Sequence, residues 1–132
     1  MTDFTIQPIG ILHCRLKTRE QTPKNYDESA HKGTIEIFPE FIAGLEGIHR
    51  GDIIVVLFWL HRADRTVLRV YPRGDRSKPK RGVFSTRSPV RPNPIAVSEL
   101  VVEDIQKNIV TVRGLDIFDA TPIVDIKKQI TC

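Results

Sequence analysis

The sequence predicts a mainly β protein, a single small β-barrel with short helical turns, occupying residues 1–132 as one domain. Three observations lead there. Short runs in which apolar and polar residues alternate recur along the chain, which is the period of half-buried strands. None of the chain sustains a helical apolar repeat for long. A chain of 132 residues, 40% hydrophobic and 27% charged, is long enough to bury one core, and many short strands at that length are best closed on themselves so that no edge stays unpaired.

Taken in order, Phe4 to Ile11 (FTIQPIGI) and Gly33 to Phe38 (GTIEIF) alternate with period two and predict the first strands. Phe38 to Ile48 (FPEFIAGLEGI) then holds a short helix or turn after Pro39. Ile53 to Leu60 (IIVVLFWL) is the longest apolar run and reads as a buried strand, far short of the roughly 20 residues of a membrane-spanning helix. Thr66 to Tyr71 is a further β-rich run, with Trp59 and Tyr71 expected in the core. Ile95 to Ile105 (IAVSELVVEDI) puts Ile95 and Val97 on one parity but Leu100 and Val102 on the other, so burying both pairs requires a bulge near Ser98-Glu99. A turn at Gln106-Lys107-Asn108 returns the chain as Ile109 to Arg113, completing a hairpin.

Composition narrows the class of function. The start, Met-Thr-Asp-Phe-Thr, has an acid where a signal peptide carries positive charge, and the two cysteines, Cys14 and Cys132, show no CxxC spacing. Both features point to a reducing, cytoplasmic setting without a disulfide framework. His13, His31, His49 and His61 have neither HxH nor HxxxH spacing, so no metal is expected, and no serine sits in a G-x-S-x-G elbow. Charge is unevenly placed. Ten basic residues and two acids lie between Arg62 and Arg91, a local charge of +8 against −4 for the remainder. Clustered Lys and Arg favour a phosphate-rich partner through counterion release, although a solvated basic loop has the same composition.

Within that region, residues 81–99 read RGVFSTRSPVRPNPIAVSE. Pro89, Pro92 and Pro94 fix φ and hold Ser88, Arg91 and Asn93 toward extended geometry, so the polar side chains project from a backbone that has already lost much of its entropy. Arg87 and Arg91 offer forked donors for a carboxylate or phosphate, and Ser88 and Asn93 add a hydroxyl and an amide. A second segment, Gly114 to Lys127 (GLDIFDATPIVDIK), sets Asp116, Asp119 and Asp125 among apolar residues around Thr121-Pro122. Turn and cap roles account for one or two such aspartates; three invite a ligand with hydroxyls or positive charge.

The two blocks GVFSTRSPVRPNPIAVS (Gly82 to Ser98) and LDIFDATPIVDIK (Leu115 to Lys127) resemble the signature blocks of the TsaA-like, or TrmO, family. Pro8-Ile9-Gly10 and Phe58-Trp59-Leu60-His61 also resemble family positions, so the likeness covers nearly the whole chain. It implies a small β-barrel that binds S-adenosylmethionine, works as a homodimer with the site near the subunit interface, and methylates N6 of threonylcarbamoyladenosine beside the anticodon of tRNA. By the same resemblance Arg87 and Ser98 flank the cofactor, His61 and Arg62 close the end of the long strand around it, and Leu115, Asp116, Ile117 and Phe118 line it, with Gln21, Thr22 and Pro23 in an early contacting loop.

Charge suggests that Arg87 or Arg91 pairs with the methionine carboxylate and that Asp116 accepts from ribose hydroxyls. Asp119 and Asp125 are candidate bases for the acceptor nitrogen, or else orient Arg91 or Lys127. Arg91, Asn93, Lys127, Arg73 and Arg76 are the residues expected to meet the RNA, the basic stretch holding anticodon-loop phosphates rather than reading sequence. The chain departs from the family pattern at Ala120, where glycine is usual, and at Lys128-Gln129, which replaces Pro-aromatic; longer members continue into a further domain. Two other classes share these residues: a small-molecule methyltransferase on the same barrel, and a non-catalytic RNA-binding barrel.

Overall fold

Eight strands organise the chain in a computed structural model that describes residues 3–15 and 31–130. They are β1 (Gly10–Cys14), β2 (Lys32–Ile37), β3 (Ile53–Trp59), β4 (Arg69–Val70), β5 (Arg81–Gly82), β6 (Ile95–Gln106), β7 (Ile109–Arg113) and β8 (Pro122–Lys128). Six of them close a barrel in the order β1-β2-β7-β6-β3-β8, so every strand finds two neighbours and no edge is left open. β4 and β5 pair as a separate two-stranded sheet. By contacts the chain forms two compact units, one of Met1–Phe58 with Val97–Cys132 and one of Trp59–Ala96. The protein is mainly β, as expected, and among the described residues the helical turns are 3-10 helices at Pro39–Leu45, Pro72–Gly74 and Val83–Ser85.

Period-two alternation sets the inside of the first unit. Leu12 of β1, Ile35 and Ile37 of β2, Ile54, Val56 and Phe58 of β3, Leu100 and Val102 of β6, Val110 and Val112 of β7 and Ile123 of β8 are all buried. Each such side chain is worth roughly 1.5–3 kcal/mol when taken from water. The run at β3 alternates buried and half-buried residues, because a barrel strand turns only one face to the core.

Three expectations shift. The first strand begins at Gly10, and Phe4 and Ile6 are exposed; the alternation there is not used by the sheet, although the Ile9 amide still bonds the Ile123 carbonyl at 2.8 Å. The run at Thr66 contributes only Arg69–Val70 as β4. The bulge in β6 lies between Val102 and Asp104, not at Ser98-Glu99. The strand keeps Ser98, Leu100 and Val102 on one buried face and leaves Val97 exposed, so the conflict between the two apolar pairs is resolved by excluding one of them. The displaced bulge re-aims Glu103, which accepts from Arg113 Nε at 2.8 Å and lies 3.7 Å from Lys32 Nζ. Arg113 and β6 share the predicted hairpin, whose two-residue turn takes positive φ at Lys107 (56°).

Candidate functional site

Within the first unit, the Leu115–Phe118 segment leaves β7 at Gly114, whose φ of 103° only glycine adopts at no cost. The amides of Gly114 and Leu115 both bond the His31 carbonyl, at 3.0 and 3.2 Å. Leu115 is fully buried and packs where Gly33 of β2 lacks a side chain: a Cβ on Gly33 would stand 2.5 Å from Leu115 Cδ1. Downstream, β1 grips the turn. The Cys14 amide donates to Asp119 Oδ1 at 2.9 Å, the Cys14 thiol to the Ile117 carbonyl at 3.4 Å, and the Ala120 amide to the Leu12 carbonyl at 2.8 Å. Thr121, buried, donates its hydroxyl to the Phe118 carbonyl at 2.7 Å. With Leu115 and Ile117 buried, Asp116 is half-buried and Phe118 is exposed.

Ser98 is the polar exception on the core face of β6. It is only 3% exposed, so its hydroxyl needs a partner, and it donates to Asp116 Oδ1 at 3.2 Å. The two cofactor candidates in this unit therefore meet directly. Asp119 takes the Cys14 amide, whereas Asp125 is placed elsewhere on the unit: it pairs with Lys127 at 2.8 Å and lines a pocket with Glu40, Phe41 and Ile9. Of the alternatives open for the two acids, the orientation of Lys127 by Asp125 is the one seen directly.

The second unit holds the proline-rich loop. Its 3-10 turn at Val83–Ser85 is anchored by buried Val83, and the Thr86 hydroxyl accepts from the Ser88 amide at 3.1 Å while donating to the Val83 carbonyl at 2.9 Å. Arg91 turns inward on the same loop. Its Nη1 donates to the carbonyls of Thr86 and Ser88, each at 3.1 Å, so it braces the backbone on both sides of Arg87, whose own side chain is exposed. Arg65 braces the next stretch, with Nε donating to the Pro92 carbonyl at 2.7 Å and Nη2 to Asn93 Oδ1 at 3.1 Å. Buried Pro94 accepts the Leu60 amide at 2.8 Å, beside His61 and Arg62, which are exposed just past β3.

Sequence reasoning placed Arg65 only in the basic stretch, Arg65 to Arg81, expected to meet phosphates, and it misplaced two aromatics. Trp59 and Tyr71, expected in the core, are half-buried and carry cations: the Arg65 guanidinium lies 5.1 Å from the Trp59 ring centroid, and Arg76 and Lys80 lie 5.5 and 5.4 Å from that of Tyr71. The signal was a repeated D-R-[ST] pattern. In Asp64-Arg65-Thr66 the Asp64 Oδ1 accepts the Thr66 hydroxyl (2.6 Å) and amide (2.7 Å), and in Asp75-Arg76-Ser77 the Asp75 Oδ1 accepts the Ser77 hydroxyl (2.5 Å) and amide (2.9 Å). These bonds, the hydroxyl's first and the amide's second, hold both carboxyls below the usual aspartate range. Each turn thereby presents its middle arginine beside an aromatic ring.

Of the residues expected at a cofactor site, Ser98, Leu115, Asp116, Ile117 and Phe118 fall in the first unit and His61, Arg62 and Arg87 in the second. Gln21, Thr22 and Pro23 lie outside the described residues. Of those expected to meet RNA, Arg73, Arg76, Arg91 and Asn93 fall in the second unit and Lys127 in the first. Arg73 adopts a left-handed φ of 51° in its 3-10 turn. Among the described residues no three His, Cys, Asp or Glu side chains are arranged to hold a metal ion, and no helix is long and apolar enough to cross a membrane.

Comparison with known proteins adds an independent line. Residues 11–131 match the family model described as the tRNA-methyltransferase O N-terminal domain. A protein of Methanothermobacter thermautotrophicus named a probable S-adenosyl-L-methionine-binding protein is 44% identical over 126 residues, 95% of this chain and 89% of its own. An Archaeoglobus fulgidus protein named an S-adenosyl-L-methionine-binding protein is 40% identical over 123 residues, 93% of this chain and 87% of its own. The crystal structure of TrmO from Pseudomonas aeruginosa superposes with a TM-score of 0.77 at 27% identity, covering 98% of this chain. The chain spans 57% of the length of that structure.

Proposed function

This chain belongs to the tRNA-methyltransferase O N-terminal domain family, and we propose that it binds S-adenosylmethionine and transfers its methyl group to tRNA, at N6 of threonylcarbamoyladenosine next to the anticodon. The observation that carries the reading is the braced loop around Arg87 in the second unit, together with relatives of 40 to 44% identity named for the cofactor.

The donor set suits that cofactor chemically. Arg87 presents a planar fork, complementary to an amino-acid carboxylate, from a loop that Arg91 and three prolines have already ordered. Asp116 accepts from the buried Ser98 hydroxyl, and a carboxylate is the acceptor type that suits ribose hydroxyls. Exposed Phe118, two residues on, adds apolar surface.

Bound S-adenosylmethionine supplies an electrophilic methyl on a sulfonium: the S–CH3 bond breaks with its electron pair returning to sulfur, an N–CH3 bond forms, and the nitrogen gives up a proton. Such a displacement needs no covalent enzyme intermediate, so the residues act by holding and orienting, which brings bimolecular steps within reach of an effectively unimolecular rate. The braced Arg87 holds the donor's carboxylate. Asp119 and Asp125 each already serve a structural contact, so the reading assigns the departing proton to solvent water and keeps both aspartates as positioning residues. The +8 stretch from Arg62 to Arg91 supplies the long-range attraction for RNA. Exposed Leu68 and Phe84 give the second unit apolar surface for a second copy, consistent with a homodimer.

Methyl-labelled cofactor tests this reading. Label is expected to enter tRNA that carries threonylcarbamoyladenosine and not the same tRNA lacking it. Cofactor binding without label in either RNA contradicts the tRNA assignment and favours a small-molecule acceptor; RNA binding without cofactor binding favours a non-catalytic barrel.

A further inference from the structure

The two D-R-[ST] turns of the second unit share a local design but leave their arginines in different situations. Arg65 is committed to the loop, since its Nε and Nη2 donate to Pro92 and Asn93 while its guanidinium lies over Trp59. Arg76 makes no such link to the loop. Its guanidinium lies over Tyr71, and the same ring holds the Lys80 ammonium, each cation within 5.5 Å of one centroid.

Two like charges drawn to one ring repel each other, and the nearest acid in sequence is tied into its own turn. Asp75 directs Oδ1 to the hydroxyl and amide of Ser77, and that hydroxyl is the first cause of its lowered pKa. Both cations are on exposed residues. An anion that bridges Arg76 and Lys80 relieves the repulsion, and the ring and the Asx turn have already restricted the side chains that would receive it. A guanidinium held over an aromatic ring is also a group on which an unpaired base stacks.

We propose that Tyr71, Arg76 and Lys80 form a phosphodiester clamp by which the chain grips single-stranded RNA, using residues other than those that hold the cofactor. The inference rests on the RNA reading above and assigns it a place. Arg65, in the matching turn, is a positioning residue for the Pro92-Asn93 loop and takes no part in the clamp.

The test is fluorescence anisotropy with a labelled anticodon stem-loop RNA across a salt series, on wild type, Arg76→Ala/Lys80→Ala, Tyr71→Ala and Tyr71→Phe, with calorimetry of S-adenosylmethionine as the control for folding and for the cofactor site. The double variant is expected to bind RNA about ten-fold more weakly near physiological salt, and to lower the slope of log affinity against log salt by about 1.4, the value for two lost phosphate contacts on a single strand. Tyr71→Phe keeps the ring and wild-type affinity, and Tyr71→Ala behaves like the double variant. Inorganic pyrophosphate distinguishes the source of the phosphate: competition only at concentrations that act as bulk salt supports a polymer clamp, whereas tight saturable competition overturns it in favour of a free-phosphate site. Unchanged RNA affinity and slope in the double variant overturn the clamp while leaving RNA binding in place. Absence of RNA binding by the wild type overturns both the clamp and the RNA reading.

Discussion

Glu103 shows how a single residue is set by a strand irregularity. The β6 bulge at Val102–Asp104 turns its carboxylate onto Arg113, whose hydrogen bond is the first cause holding the Glu103 pKa below the usual glutamate value, with Lys32 and Arg50 adding charge attraction. A carboxyl whose folded pKa is depressed adds stability that is complete above its unfolded pKa and is lost as pH falls through the folded one. Melting curves of wild type and Glu103→Gln are therefore expected to differ at pH 7 and to converge between about pH 4.5 and pH 3, the window beneath the ordinary glutamate pKa. A gap that persists unchanged at low pH removes the electrostatic account. At this scale the sequence was informative about residue types and silent about commitments. Arg91 looked like a ligand donor because two forked arginines stood in one rigid loop, and the structure adds that its Nη1 donates to the carbonyls of Thr86 and Ser88. Which of two arginines folds back is decided by three-dimensional carbonyl positions that no linear spacing encodes.

Elements were legible where one period dominated. β2 and β3 lie within a residue of the runs read for them, alternating for β2 and continuously apolar for β3, and the β6–β7 hairpin turns where its Gln106-Lys107-Asn108 residues place it. The first strand and the β6 bulge were misplaced for a common reason: Phe4, Ile6 and Val97 are apolar residues that the sheet does not bury, and a sequence pattern cannot say which apolar residues are left out. The close approach of β2 to Leu115 was equally hidden, because an unremarkable glycine in a strand creates it. Gly33→Ala would force a Cβ to 2.5 Å from Leu115 Cδ1 and 2.7 Å from the His13 carbonyl, one a movable side chain and the other backbone. Thermal unfolding should report a loss of about 1–3 kcal/mol. Displacement of Leu115 should also weaken S-adenosylmethionine binding, measured by titration of the folded variant. A variant as stable as wild type contradicts the packing role assigned to Gly33.

At the scale of the whole molecule, the charge asymmetry visible in the sequence coincides with the division into two units. The stretch that carries +8 lies within Trp59–Ala96, and its two acids, Asp64 and Asp75, serve their own turns. Ser98 and Asp116 belong to the first unit and Arg87 to the second. Calorimetric titration of the purified protein with S-adenosylmethionine, beside Arg87→Ala, tests the cofactor reading most directly. The account predicts saturable binding by the wild type and a loss of about ten-fold or more in the variant, the order expected when one charge-assisted pair worth roughly 1.5–3 kcal/mol is removed. No heat of binding at millimolar cofactor from a protein shown to be folded, or equal affinity in the two proteins, would contradict it.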